Sequence, residues 1–362
     1  MNNLRAMFKP IIAVVALATA LGCQPTGGLN GLAGGNAPSS VSEDIVWPQP
    51  PNPARIRYVR SISVPGDVGI KRGFFGTLLD VVTRREQERF IRPTGVAESD
   101  GAIYVADPGA PALWIFDPQR QASVAVRELG GEALLSPVAV TPERDGRAFV
   151  ADSLINKVFL VDRGGKMVST IADSGLKRPV ALAWDSAIDR LYVADAVGQQ
   201  VLVYGSGGQR LLSWGSRGSG DGEFNFPAYI ALSRSGEVLV TDALNYRVQA
   251  FDQNGKFLWK MGRQGDGSGD FAAPKGVATD SEGHLYVIDA LFDGVQIFDR
   301  EGALLLGFGS NGRSAGEFWL PTGAFIDARD QIYVADSYNQ RVQVFEFVGR
   351  SADSHPAETA KR

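Results

Sequence analysis

Short apolar runs that end in aspartate punctuate the chain: IYVAD (103–107), AFVAD (148–152), LYVAD (191–195), VLVTD (238–242), LYVID (285–289) and IYVAD (332–336). Their aspartates, Asp107, Asp152, Asp195, Asp242, Asp289 and Asp336, recur every 43 to 47 residues. Runs that are apolar throughout predict strands buried on both faces. A proline precedes each run (Pro93, Pro137, Pro179, Pro227, Pro274, Pro321) and opens a small, apolar segment such as GVAES, VALAW or GVATD. These segments predict a first strand suited to a crowded centre, joined to the aspartate strand by tight turns such as SDG (99–101) and SEG (281–283). Alternating segments follow, VLVY (201–204), VQAF (248–251), VQIF (295–298) and VQVF (342–345), and predict a third strand. D-x-x-G-like turns then lead to an outer strand, as in FLWKMG (257–262) and ALLLGFG (303–309). Four short strands per period in the forties predict an all-β, six-bladed β-propeller of four-stranded blades. The sixth unit stops after its third strand, at FEFVGR, and RIRYVRSIS (55–63) alternates like a strand ahead of the first unit. The N-terminal strand is therefore expected to close the last blade, which removes exposed sheet edges.

Three segments fall outside the repeat. Residues 74–89, FFGTLLDVVTRREQER, place Phe74, Phe75, Leu78, Leu79 and Val82 on one face and predict a short amphipathic helix. At the N-terminus, Arg5 and Lys9 precede the apolar run IIAVVALATAL (11–21), too short to span a bilayer but suited to a signal-peptide core, so 1–22 is expected to be a signal peptide. Cleavage after Ala20 and a lipobox-like ending, ALGC, with lipidation of Cys23 are the two outcomes this segment allows. Residues 23–54, rich in Gly, Pro and Ser, are expected to be a flexible tether, and 350–362 a disordered tail. The chain is then exported and held at a membrane through Cys23, at the outer membrane or facing the periplasm.

Charge and composition narrow the chemistry. The formal net charge is −4, and removing residues 1–22 takes away two more positive charges, which argues against nucleic acid as a partner. With Cys23 the only cysteine and His284 and His355 the only histidines, neither a disulfide nor a multi-histidine metal centre can form within the chain. The loop GDGSGD (265–270) spaces Asp266, Ser268 and Asp270 like a calcium loop, but Phe271 and Val277 stand where glycine and the bidentate glutamate belong. It reads instead as one of a set of inter-blade loops with GSRGSGDGEF (215–224) and GSNGRSAGEF (309–318). No cofactor, metal ligand or catalytic residue is expected.

The units NYRVQAFDQNG (245–255) and NQRVQVFEFVG (339–349), with the P-x-G-V-A and L-Y-V-x-D segments, resemble the NHL repeat, six of which would cover about 92–349. Lys157, Gln200, Gly294 and Leu113 are aligned with Arg247 and Arg341 in the other units. The resemblance implies a propeller that binds or scaffolds rather than one that performs chemistry. Asp242 with Arg247, and Asp336 with Arg341, are expected to bond within a blade. The face that carries the loops after the second strands and between blades gathers Tyr246, Arg247, Phe292, Tyr338, Asn339 and Arg341, expected to recognise a protein or cell-envelope component. A lyase branch of the same family makes the alternative a lyase or hydrolase with a metal site in the central channel.

Overall fold

The structure, a computed structural model, describes residues 44–71 and 89–349. The signal peptide, Cys23, the tether before Asp44, the helix expected at 74–89 save Arg89, and the tail after Gly349 lie outside the described residues.

Six antiparallel sheets form the blades of a propeller. Five are four-stranded and built from consecutive chain, with inner strands Gly95–Ser99, Pro137–Pro142, Pro179–Asp185, Pro227–Leu232 and Pro274–Thr279. The sixth begins with Pro321–Ile326, Gln331–Asp336 and Arg341–Phe347 and is completed by Ile56–Ile62, which pairs with Arg341–Phe347 from Ile56↔Phe347 to Ile62↔Val342. Each inner strand touches the inner strand of the next blade, and Pro321–Ile326 touches Gly95–Ser99, so the ring closes. Six separate apolar clusters each straddle one blade boundary, for example Tyr104 and Ile115 of blade 1 with Val140 and Phe159 of blade 2. No blade buries its faces alone, which is why the repeat must close on itself to be stable.

The narrow centre explains the small residues that follow each proline. A Cβ on Gly276 would lie 2.7 Å from the backbone of Thr322 and Ala324, and one on Gly95 would lie 2.9 Å from Val138 O. Polar ties add to the packing between blades: Arg163 of blade 2 donates to Asp117 of blade 1 at 2.5 Å, both nearly buried.

Three expectations are corrected by the fold. The third strands do not alternate between buried and exposed: Arg247–Phe251 and Gly294–Phe298 are buried at every position, because second and fourth strands flank them and neighbouring blades cover both faces. Alternation appears one strand further out, in Phe257–Met261 and Leu304–Phe308. Residues 44–54 are not free tether, since Val46–Trp47 pairs with Arg57 and Ile56 as a fifth strand of blade 6, and Trp47 packs on Phe308 and Phe345 at 5.5 and 5.9 Å. In blade 1 the residue paired with the aspartate is Ala112 rather than Leu113.

Candidate functional site at the loop face

Each blade's second strand ends in its repeated aspartate, and all six are fully buried. Each carboxylate clamps the loop entering its own blade to the loop that follows it. Asp289 accepts from the backbone N–H groups of Ala272, Ala273, Leu291 and Phe292. Asp107 does the same with Ile91, Arg92, Gly109 and Ala110, and Asp152 with Leu135, Ser136, Leu154 and Ile155. Asp195 accepts from Lys177, Arg178 and Gly198. A buried carboxylate is tolerated only when its lone pairs are satisfied in this way.

Blades 4 and 6 use side chains for part of the same task. Asp242 accepts from Asn225 N, Asn245 Nδ2 and Arg247 Nε, the last at 2.8 Å. Arg247 spends its remaining donors on the carbonyls of Ser219, Gly220 and Glu223. Asp336 accepts from Trp319 N, Asn339 Nδ2 and Arg341 Nε at 2.7 Å, and Arg341 holds the carbonyls of Ser314 and Glu317. Burial holds the Asp242 and Asp336 carboxyls above the usual carboxylate range, while these donors pull them back down.

The expected binding residues therefore divide. Arg247 is buried, Arg341 and Asn339 have their donors engaged in the clamp, and Tyr246 and Phe292 are half-buried. Tyr338 alone of the six is exposed, at 48 %, with its ring 5.5 Å from that of Trp319, over which Arg313 sits at 5.0 Å.

A more regular surface lies two residues after each aspartate. Leu154, Val197, Leu244, Leu291 and Tyr338 are 48–64 % exposed, and only blade 1 has a small residue there, Gly109. In blades 2 and 5 the clamp holds the N–H groups of this residue and the next, Leu154 with Ile155 and Leu291 with Phe292, while the side chain stays exposed. On the same face Ile91, Leu135 and Trp319, in the loops entering blades 1, 2 and 6, are also exposed. The repetition of Asp-x-(Leu/Val/Tyr) was available from the sequence, whereas attention to aromatics beside arginines passed over it.

One side chain crosses the central channel. Tyr229 reaches from blade 4 to blade 6, where its hydroxyl donates to Ala324 O at 2.7 Å and accepts from Ala324 N. Below it lies a cavity of about 170 Å³ lined by Val96, Val140, Leu182, Ile230, Val277 and Phe325 among others, with no carboxylate, histidine or cysteine in its wall. Such a lining does not fit a metal ion. At the opposite, turn face the channel opens into a basin of about 700 Å³ that carries Glu98, Asp327 and Arg329. Burial, reinforced by Asp327, raises Glu98, although a backbone bond from Gly101 opposes the shift. Among the described residues no group of three or more His, Cys, Asp or Glu side chains is gathered where a metal ion could be held. His284 donates to or accepts from Asp280 at 2.8 Å on the flank of blade 5.

Comparison with known proteins agrees with this architecture. An NHL repeat model matches residues 318–345, and a 6-bladed beta-propeller family model matches residues 229–295. No curated protein matches the chain. Among solved structures the chain is similar to a protein of unknown function from Bacteroides thetaiotaomicron (15 % identity, 71 % of this chain and 70 % of that one, TM-score 0.56). It is also similar to an auxiliary nutrient binding protein from the same organism (13 % identity, 71 % and 69 %, TM-score 0.56). Virginiamycin B lyase from Staphylococcus aureus is a third (11 % identity, 71 % and 96 %, TM-score 0.54). At these identities the likeness is one of fold.

Proposed function

We propose that the protein is an exported, envelope-anchored binding or scaffolding module that recognises a protein or cell-envelope component through its loop face. A signal peptide at 1–22 would direct export, and a lipid on Cys23 would hold the chain at the membrane. The observation that carries the reading is the ring of outward apolar side chains, Leu154, Val197, Leu244, Leu291 and Tyr338, one per blade on five of six blades. Scattered exposed apolar residues are ordinary, but a set repeated at one structural position on one face forms the kind of patch that marks interaction sites. NHL repeats and the fold shared with a nutrient binding protein support a binding role. The alternative, a lyase or hydrolase using a metal in the channel, has only the fold shared with virginiamycin B lyase behind it, and the channel wall offers no ligands.

Site-specific photocrosslinking tests the reading. A photoreactive amino acid in place of Leu244 or Leu291 is expected to capture a discrete partner in intact cells. The same group in place of Ile188, exposed in a turn at the opposite end of blade 3, is expected to capture none. Equal capture from both faces, or none from either, would reject the loop face as the binding surface.

A further inference from the structure

At the loop-face end of the channel the six inner strands converge, and the residue after each leading proline stands at the mouth. In five blades it is neutral: Thr94, Val138, Val180, Ala228 and Thr322. In blade 5 it is Lys275. Lys275 is half-buried and makes no hydrogen bond or ion pair among the described residues. Asp289 is the carboxylate whose charge reaches it, but Asp289 is fully buried and spends its oxygens on four backbone N–H groups. Burial pulls the Lys275 ammonium below its usual range, with Asp289 opposing the shift. The hydroxyls at the corresponding positions of blades 1 and 6 are engaged elsewhere: Thr94 donates to Val138 O, and Thr322 bonds Thr94 O and the Ser337 hydroxyl. A desolvated cation without a partner is costly for a folded protein acting alone, and such groups concentrate at functional sites.

The rim around this mouth has the same sign. Arg92, Lys177 and Arg178 directly precede the inner prolines of blades 1 and 3, are exposed, and have no side-chain partner among the described residues. Acids on the inter-blade loops of this face are largely engaged: Asp173 with Arg210, Glu132 with Lys157, Asp221 with Lys260, and Asp270 with Arg263. Glu128 and Asp266 are the exposed exceptions. The mouth thus combines an outer ring of apolar side chains, a cationic rim and one central ammonium, although the whole chain is acidic.

Resting on the loop-face reading above, we infer that the partner is a protein presenting an acidic, apolar segment, one of whose carboxylates is received by Lys275 at the channel mouth. The apolar residues of that segment lie against the ring, and its carboxylates complement Arg92, Lys177 and Arg178. Complementarity of this kind specifies the partner more than it raises raw affinity.

The test is selection of a random-peptide phage library on the full chain, followed by fluorescence anisotropy of the enriched peptides. Enriched peptides are expected to join Asp or Glu to apolar residues. Lys275→Met should weaken them at least about tenfold, because it removes one partner of a desolvated charge pair. Lys275→Arg should retain binding, and a Leu244→Ser/Leu291→Ser variant that keeps the parent circular dichroism should lose it. Enrichment of apolar peptides without acids, indifferent to Lys275→Met but lost in the ring variant, would overturn the acidic partner and leave the loop-face reading standing. Peptides that bind parent and ring variant alike would overturn both. Failure to enrich acidic peptides, with Lys275-dependent co-sedimentation on phosphatidylglycerol–phosphatidylethanolamine vesicles, would overturn the protein partner in favour of an anionic lipid surface.

Discussion

Leu244, in the loop after the second strand of blade 4, and Arg247, at the start of the third, lie three residues apart, yet they should respond oppositely to substitution. Arg247→Leu removes the Nε bond to buried Asp242 and three bonds to the carbonyls of Ser219, Gly220 and Glu223. Removing one partner of a buried ion pair costs about 3–5 kcal/mol, and Asp242 keeps Asn225 N and Asn245 as donors, so the lower end, about 3 kcal/mol, applies. For a propeller of this size that corresponds to a fall in Tm of roughly 6 °C. Leu244 is 55 % exposed, and Leu244→Ser should change stability by less than about 0.5 kcal/mol while weakening capture of the partner. The sign with pH follows from the carboxyl. Burial already holds Asp242 above its usual range, and losing Arg247 raises it further. A carboxyl raised in the folded state favours folding when protonated and opposes it as pH rises through the folded value. The deficit of Arg247→Leu should therefore be largest near neutral pH and shrink as the pH is lowered towards about 4. Thermal unfolding by circular dichroism across pH, with photocrosslinking as the second readout, measures both effects. An Arg247→Leu protein with unchanged Tm and no partner capture would refute the structural role and make Arg247 a ligand contact.

Other consequences can be checked by equilibrium unfolding. Tyr229→Phe leaves Ala324 N and O without their partner across the channel and should cost about 1–3 kcal/mol; an unchanged denaturation midpoint would mean that the bolt contributes nothing. Asp117 is held below the usual carboxylate range because Arg163 and the N–H of Arg120 outweigh the burial that opposes them. Its contribution is therefore present above about pH 4 and lost as the pH falls through the depressed folded value, so Asp117→Asn should be destabilised at neutral pH and converge with the parent in acid. Trp47→Ala should cost about 2 kcal/mol by stripping the aromatic contacts to Phe308 and Phe345, and no loss would return residues 44–54 to the tether.

What could be read from the chain alone follows from how each feature is specified. Strands and turns of a blade are local and recur six times, so the period and the proline and aspartate positions were legible without any contact information. The strand Val46–Trp47 was not, because its partner Ile56–Ile62 is itself placed by pairing with residues nearly the whole propeller away. Its Pro-rich surroundings read as tether by composition. The third strands misled for a related reason: alternating Gln and apolar residues such as VQAF suggest one wet face, but Gln249 is fully buried because its amide donates to Glu223 O and accepts from Gly222 N. Burial there is made possible by a loop from the neighbouring connection, which periodicity does not register.

The same contrast separates fold from function at the loop face. The aspartate is identical in all six blades because every blade must tie its two loops together, and its partners are mostly backbone, so Arg247 and Arg341 can give way to Gly294 in blade 5 without loss of the clamp. Two residues on, the side chain points to solvent and nothing in the fold requires it to be large. Gly109 shows that a small residue is compatible with the same clamp in blade 1, yet five blades carry Leu, Val or Tyr there. Exposed apolar residues at a position where the fold accepts glycine are not explained by stability, since solvent-facing apolar surface contributes little to it. Lys275 extends the contrast to the channel mouth, where one blade places a half-buried ammonium at a position that is neutral in the other five. Features that repeat and are buried account for the propeller. Those that are exposed, or that break the repeat, are the features on which the proposed binding rests.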